Sequence, residues 1–189
     1  MKYKNPNIES SYRKNDLGQT FFDLVLEKQP KVILEWGVLN GYSTVAMAMA
    51  LDELGSGHIT AYDLFDGYKY KSSTIENTQK NIDRYDVSKY VTCKKGDFNS
   101  WIEKMEHFDL LHVDISNNGE TIAQLYEACR DRIENGATVI FEGGAPGERD
   151  EVPWMVKYKF PKIKDSKVPY KILNTSFPSL SMLTFRHDN

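Results

Sequence analysis

The stretch that decides the fold is Leu34-Glu-Trp-Gly-Val-Leu-Asn-Gly-Tyr-Ser-Thr44. It continues the short β-branched run of residues 31–37, which predicts a buried strand closed by Gly37. It then leads into an Ala- and Met-rich segment, residues 42–54, that predicts a helix. Glycine at position 37 lets a ligand approach the backbone, and Gly41 lets the chain turn into a helix whose free N–H groups bind a carboxylate or phosphate. The alternative is a packed turn that binds nothing.

Strand-like runs alternate with amphipathic helical segments along the rest of the chain. The predicted strands are residues 31–37, 58–65, 90–94, 108–115 and 137–141, and the predicted helices are residues 19–28, 42–54, 72–84, 99–106, 121–134 and 148–159. This order predicts an α/β fold, a doubly wound parallel sheet with helices on both faces. Two last runs, 170–175 and 180–186, predict an antiparallel hairpin at the edge, which makes seven strands.

The chain has 189 residues, a net charge of −3, 40% hydrophobic residues and 27% charged residues. We expect one domain of residues 1–189, with an arm at 1–16 and a variable segment on the substrate side at 143–169. The composition predicts a globular protein with no membrane span and no signal peptide. Two cysteines make no disulfide framework, so a cytoplasmic location is expected, and the acidic balance argues against a nucleic-acid partner.

Ligands of an open α/β sheet lie outside the carboxyl ends of the strands. Asp63 ends the second strand, 22 residues after Gly41, where a carboxylate can accept hydrogen bonds from ribose hydroxyls; the alternative is an exposed loop aspartate. After the third strand, Asp97 can accept from an adenine amino group and Phe98 can lie against a base. Asp97 can also be the N-cap of the following helix, and the two roles are compatible.

Three titratable residues lie at the ends of the fourth and fifth strands. Period 2 places His112 and Asp114 on the same face of the fourth strand, with Asp114 at the tip. Glu142 ends the fifth strand. A lone strand histidine is more often a core residue than a catalyst, so Asp114 and Glu142 are the first candidates for a catalytic base and His112 is the third.

The stretch 34–44 resembles motif I of the class I methyltransferases that depend on S-adenosylmethionine (SAM). Its Gly-Tyr-Ser ending is similar to that of the small-molecule O-methyltransferase branch, and Asp63, Asp97 and the run 108–114 fall where the later motifs of that fold fall. The resemblance covers residues 17–144. The segments 141–144, 148–150 and 154–158 are similar to small methyltransferase-like proteins of bacteria and phages.

The resemblance implies a Rossmann-like fold and a SAM site. It implies that Gly37 and Gly41, with Tyr42, form a loop around the methionine part of SAM, whose ammonium Glu35 contacts through water and whose carboxylate Ser43 binds. It further implies that Asp63 binds the ribose and that Leu64, Asp97 and Phe98 contact the adenine. Asp114 is implied to face the methyl donor and the substrate. The metal-dependent members carry an Asp-Asn pair after the fifth strand, where this chain has Glu142-Gly143, so no required divalent metal is expected. Their lysine after the fourth strand is also missing from residues 115–120.

The function that we expect is methyl transfer from SAM to an oxygen of a small molecule or sugar, with S-adenosylhomocysteine (SAH) as the product. The alternative is a SAM- or SAH-binding protein without methyl transfer: a sensor, an assembly subunit or an enzyme that cleaves the cofactor in another way. A nicotinamide-dependent oxidoreductase is disfavoured, because Leu39 stands where Gly-x-Gly-x-x-Gly needs its middle glycine. The sequence leaves a homodimer open.

The segment 157–171 holds six lysines and one acidic residue. One interpretation is a surface for an anionic acceptor. The other, which we favour, is a solvated connector that leads into the hairpin.

Overall fold

The computed structural model describes residues 2–67, 73–146 and 153–185, with the backbone alone for Pro153 and Trp154. The strands are β1 (Val32–Trp36), β2 (His58–Asp63), β3 (Val91–Lys95), β4 (Leu110–Val113), β5 (Thr138–Glu142), β6 (Tyr170–Asn174) and β7 (Leu180–Leu183). The helices are α1 (Leu17–Lys28), α2 (Tyr42–Leu54), α3 (Ile75–Asp83), α4 (Phe98–Ile102), α5 (Gly119–Glu134) and α6 (Pro153–Lys157). Short 3₁₀ turns lie at Arg13–Asn15, Phe65–Gly67, Ser88–Tyr90 and Ile163–Asp165.

The strands form one seven-stranded sheet in the order β3-β2-β1-β4-β5-β7-β6. β1 pairs parallel with β2 and β2 parallel with β3, whereas β7 pairs antiparallel with both β5 and β6. The predicted mostly parallel sheet with an antiparallel carboxyl-terminal hairpin is confirmed. The last strand, β7, lies between β5 and β6, so β6 and not β7 forms the edge.

Two consecutive residues of β1 show that helices cover both faces of the sheet. Successive side chains of a strand point to opposite faces. Glu35 contacts α2 through Ser43, whereas Trp36 contacts Phe98 of α4. The predicted helices on both faces are therefore confirmed for this part of the sheet.

The chain forms two compact units, residues 1–111 and residues 112–189, and the boundary falls inside β4. We call them the amino-terminal unit and the carboxyl-terminal unit. The expectation of one domain over residues 1–189 stays a prediction.

In the amino-terminal unit, α1 and α2 together supply five of the largest fully buried side chains. Those of the two helices are Leu17, Phe21, Met47, Met49 and Leu51. Helix α2 has the bounds that its Ala- and Met-rich sequence predicts, and its two methionines are core residues. Helix α1 begins two residues before the predicted start at residue 19, because Leu17 and Gly18 are buried and the Gly18 N–H donates to the Tyr42 hydroxyl at 3.3 Å.

In the carboxyl-terminal unit, Asn118 caps α5 by accepting hydrogen bonds from the N–H groups of Glu120 and Thr121. The Gly119 N–H donates to the Pro161 carbonyl at 2.7 Å. A Cβ at Gly119 would overlap the backbone of Lys162, so only glycine fits where this segment crosses the start of α5. Helix α5 therefore begins two residues before the predicted start at residue 121.

Several predicted elements are shorter in the structure. The helix predicted at 72–84 is Ile75–Asp83, and residue 72 lies outside the described residues. The helix predicted at 99–106 is the single turn Phe98–Ile102. The strand predicted at 108–115 is Leu110–Val113. Of the helix predicted at 148–159, residues 148–152 lie outside the described residues, and the observed helix is Pro153–Lys157. Among the described residues, no helix is long and apolar enough to cross a membrane.

Candidate functional site

The loop between β1 and α2, residues 37–41, has positive φ angles at three of its five positions: Gly37 at 90°, Leu39 at 49° and Gly41 at 86°. We call it the glycine loop. A Cβ at Gly41 would lie 3.2 Å from Cγ2 of Thr78, so both the angle and the space favour glycine there. Leu39, which stands where a dinucleotide fold would have glycine, adopts the same left-handed region at a cost of roughly 1–2 kcal/mol. Such a backbone persists only where its surroundings hold it.

The carboxylate of Asp63 holds the glycine loop. Its Oδ2 accepts hydrogen bonds from the N–H groups of Val38 at 2.7 Å and Leu39 at 2.9 Å, and its Oδ1 accepts from the Phe65 N–H at 2.8 Å. A carboxylate offers about four acceptor directions, two on each oxygen. Three of them are used by the backbone, which leaves one on Oδ1 for a further donor.

Helix α3 holds the glycine loop from the other side. The Thr78 hydroxyl donates to the Leu39 carbonyl at 2.6 Å, and the Asn81 amide donates to the Asn40 carbonyl at 3.0 Å. The Asn40 side chain in turn donates to the Glu9 carbonyl of the amino-terminal arm at 3.1 Å. No local sequence pattern indicates these contacts, because they join residues that are 31 to 41 positions apart.

Glu35 lies beneath the start of α2 and is fully buried. It accepts hydrogen bonds from the hydroxyls of Ser43 and Thr44, the latter at 2.5 Å. The hydroxyl of Ser43 is thus used inside the protein, and Thr44 is a residue of this site that the sequence analysis missed. The first α2 hydrogen bond joins the Val45 N–H to the Gly41 carbonyl at 2.9 Å, so the three preceding N–H groups have no helical acceptor.

Tyr42, expected beside the cofactor, directs its side chain into the packing of the amino-terminal arm. It is 2% exposed, and its hydroxyl donates to Oδ1 of Asn5 at 2.8 Å and accepts from the Gly18 N–H. Burial raises the pKa of Tyr42, so the phenol stays protonated. Only the backbone N–H of Tyr42, one of the three at the start of α2 without a helical acceptor, therefore belongs to the candidate site.

Asp97 is the N-cap of α4, one of the two roles that the sequence left open. Its Oδ2 accepts hydrogen bonds from the Ser100 hydroxyl at 2.8 Å and the Ser100 N–H at 2.9 Å. These hydrogen bonds lower the pKa of Asp97, so it is a carboxylate at neutral pH. Its expected role toward adenine stays a prediction.

An aromatic cluster is centred on Trp36 and includes Phe98, which is buried. Trp36 stacks on Tyr62 with ring centroids 4.5 Å apart and an interplanar angle of 9°, and Phe98 and Trp101 contact Trp36 at 5.7 and 5.3 Å. A Cβ at Gly96 would lie 3.0 Å from the rings of both Trp36 and Tyr62. Leu64, expected against the adenine, is 38% exposed.

The three candidate catalytic residues belong to the carboxyl-terminal unit. His112 is fully buried within β4, and Glu142, the last residue of β5, is 5% exposed. Asp114 follows β4 and is half-buried. Asp114 is therefore the candidate that a small molecule from solvent reaches most easily. Within the described part of the chain, no group of three or more His, Cys, Asp or Glu residues could hold a metal ion.

The lysine-rich segment 157–171 is exposed at five of its six lysines, and Lys162 is half-buried. Its aromatic residues Tyr158 and Phe160 are 66% and 43% exposed. Ile163 is fully buried and anchors the segment. These exposures are compatible with both interpretations of the lysines.

We expect Thr44→Val, and independently Ser43→Ala, to lower the free energy of unfolding by about 1.5–3 kcal/mol, because each removes a donor from a buried carboxylate. The measurement is urea unfolding followed by circular dichroism. Thr60→Val on β2 makes the same chemical change away from Glu35 and should stay within about 0.5 kcal/mol of the wild type. Wild-type stability in both Ser43→Ala and Thr44→Val would show that Glu35 does not depend on these hydroxyls.

Comparisons with known proteins agree with this geometry. A family model described as a methyltransferase domain matches residues 34–142, from the middle of β1 to the end of β5. No protein of curated function matches the chain.

Solved structures of methyltransferases are similar over most of the chain. The SAH-bound methyltransferase PaMTH1 of Podospora anserina is 16% identical with a TM-score of 0.62, and 95% of this chain and 80% of that chain are covered. The O-methyltransferase of Bacillus cereus in complex with SAH is 16% identical with a TM-score of 0.60 and coverages of 95% and 84%. TomG of Streptomyces achromogenes, an O-methyltransferase involved in tomaymycin synthesis and in complex with SAM, is 15% identical with a TM-score of 0.58 and coverages of 93% and 86%.

At these identities the structural likeness shows the shared fold. The family model goes further, because the residues that it matches make up more than half of the chain. They include the glycine loop, Asp63 and the ends of the strands that carry the candidate site. The chain belongs to this methyltransferase-domain family and is a methyltransferase.

Proposed function

We propose that this methyltransferase takes the methyl group from SAM and transfers it to an oxygen atom of a small molecule or sugar. The observation that carries the proposal is the glycine loop, which Asp63 fixes in front of the unpaired N–H groups of α2. Support for oxygen as the acceptor comes from the similar structures that are O-methyltransferases with SAM or SAH. A cytoplasmic location belongs to the same proposal, since Cys93 and Cys129 are free thiols.

The chemistry of the amino-terminal unit fits SAM group by group. The first-turn N–H groups of α2, that of Ser43 among them, would hold the carboxylate of the methionine part. Glu35 is too buried to reach the ammonium directly, so we assign its influence to Ser43 and Thr44, which it orients. The free acceptor direction on Oδ1 of Asp63 would take a ribose hydroxyl.

The adenine end of the site is assigned to the chain around β2 and β3. Leu64 is exposed enough to lie against the ring, and the buried Phe98 supports the site from the aromatic cluster. Asp97 stays ionised while it caps α4, and a carboxylate can accept more than the two hydrogen bonds from Ser100. We therefore keep Asp97 as the acceptor for the adenine amino group.

SAM supplies an activated methyl group on a sulfonium sulfur, so the protein contributes mainly alignment. Alignment of two reactants can contribute about 7–11 kcal/mol. The acceptor hydroxyl must also lose its proton, and a well-placed base typically contributes about 10²–10⁴-fold. We assign this base to Asp114, the half-buried candidate, with Glu142 second and the fully buried His112 third.

We expect the protein to bind SAM and SAH with micromolar Kd and not to bind NADH, with no effect of Mg²⁺. Calorimetric titration of the cofactor-stripped protein measures this.

The same titration tests Asp63→Ala. This variant should weaken SAH binding at least about tenfold, the equivalent of one hydrogen bond to a charged group, because it also releases the glycine loop.

The matched control is Asp66→Ala, three residues further along, where the carboxylate is 69% exposed and pairs with Lys95. It should bind SAH like the wild type. Failure of the wild-type protein to bind SAH would mean that residues 35–43 form a structural turn only, and equal affinity in both variants would exclude Asp63 from the site.

We expect Asp114→Asn to lower methyl transfer by about 10²–10⁴-fold and to leave SAH affinity unchanged, because it removes the base and keeps the shape of the side chain. The assay follows SAH release with a panel of catechols, phenols and sugars as acceptors. Asp131→Asn, at an exposed position of α5, is the control for the loss of one negative charge. Unchanged turnover in Asp114→Asn would exclude Asp114 as the base, and SAH binding without turnover of any acceptor by the wild type would favour a binding protein.

A further inference from the structure

Asn117 lies in the turn between β4 and α5, and its side chain is fully buried. The amide nitrogen donates to the Val113 carbonyl and to the Glu142 carbonyl, both at 2.9 Å. Only the NH₂ end of an amide can donate to a carbonyl, so these two contacts fix which way the side chain is turned. One side chain therefore joins the carboxyl ends of two neighbouring strands.

The two carbonyls belong to the backbone that carries the candidate bases. Val113 is the last residue of β4 and directly precedes Asp114. Glu142 is the last residue of β5. Any displacement of Asn117 would therefore displace the attachment points of both carboxylates.

The neighbouring asparagine provides a contrast. Oδ1 of Asn118 caps α5 by accepting two backbone hydrogen bonds at 2.9 and 3.2 Å, a role that stabilises the helix. Oδ1 of Asn117 is buried and has no hydrogen-bond partner among the described residues. A buried acceptor without a partner costs free energy, so stability by itself does not explain an asparagine at this position.

We propose that Asn117 is a positioning residue for methyl transfer, which holds the ends of β4 and β5 so that Asp114 and Glu142 keep a fixed spacing. The proposal rests on the proposed function, because that function makes these carboxylates the candidate bases. Asparagine suits the task, since it supplies two neutral donors on a short side chain. Serine would supply one donor, and a cation would alter the charge beside the carboxylates.

The test uses the ¹³C carboxyl resonances of Asp114 and Glu142 in uniformly labelled full-length protein at pH 7. The variants Asp114→Asn and Glu142→Gln assign the two signals by removing them. Asn117→Ala should displace both signals by more than their linewidth, and Asn117→Ser, which keeps one donor, should displace them less. Asn118→Ala is the matched control: it should lower the thermal unfolding temperature and leave both signals in place.

Unmoved signals in Asn117→Ala, or equal displacement in Asn118→Ala, would overturn the proposal. So would failure of both Asn117→Ala and Asn117→Ser to fold, because Asn117 would then be a residue of the core.

A kinetic measurement adds a second readout. With an acceptor from the panel of catechols, phenols and sugars, Asn117→Ala should lower kcat on the order of 10²-fold and leave the KM for SAM unchanged. A wild-type protein that fails to bind SAH would refute the proposed function, whereas the carboxyl signals report on Asn117 independently.

Discussion

The contact between the Asp63 carboxylate and the backbone N–H groups of Val38 and Leu39 is the interaction on which the candidate site depends. The glycine loop has three residues with positive φ, and it keeps that shape because β2 and α3 hold it from outside. The loop in turn sets where α2 begins and where its unpaired N–H groups lie. A site of this kind needs little rearrangement when a ligand binds, which lowers the entropic cost of binding.

Features of the fold that depend on local sequence could be predicted. The bounds of α2 follow from Gly41 at its start, Gly55 at its end and good helix formers between them. The hairpin of β6 and β7 follows from two strand-like runs around a turn. The insertion of β7 between β5 and β6 could not be predicted, because it depends on tertiary burial: three of the four residues of β7 are buried, whereas β6 has no buried residue.

The residue types at the strand ends could also be predicted, but their partners could not. Asp63 was expected to face a ribose, and the structure shows it bound first to the protein's own backbone, 24 and 25 residues away. The roles of Thr44 and Asn117 could not be predicted, since no sequence motif distinguishes a hydroxyl beneath a helix or an amide in a turn from other polar residues. Their roles arise only when strands that are distant in sequence become neighbours.

The most direct test of this account is a crystal structure of the protein with SAH. We expect the carboxylate of SAH at the N–H groups that begin α2 and a ribose hydroxyl on Oδ1 of Asp63, with the hydrogen bonds from Val38 and Leu39 to Oδ2 retained. SAH bound away from the glycine loop, or bound only after those two hydrogen bonds break, would contradict the claim that Asp63 holds a preformed cofactor site.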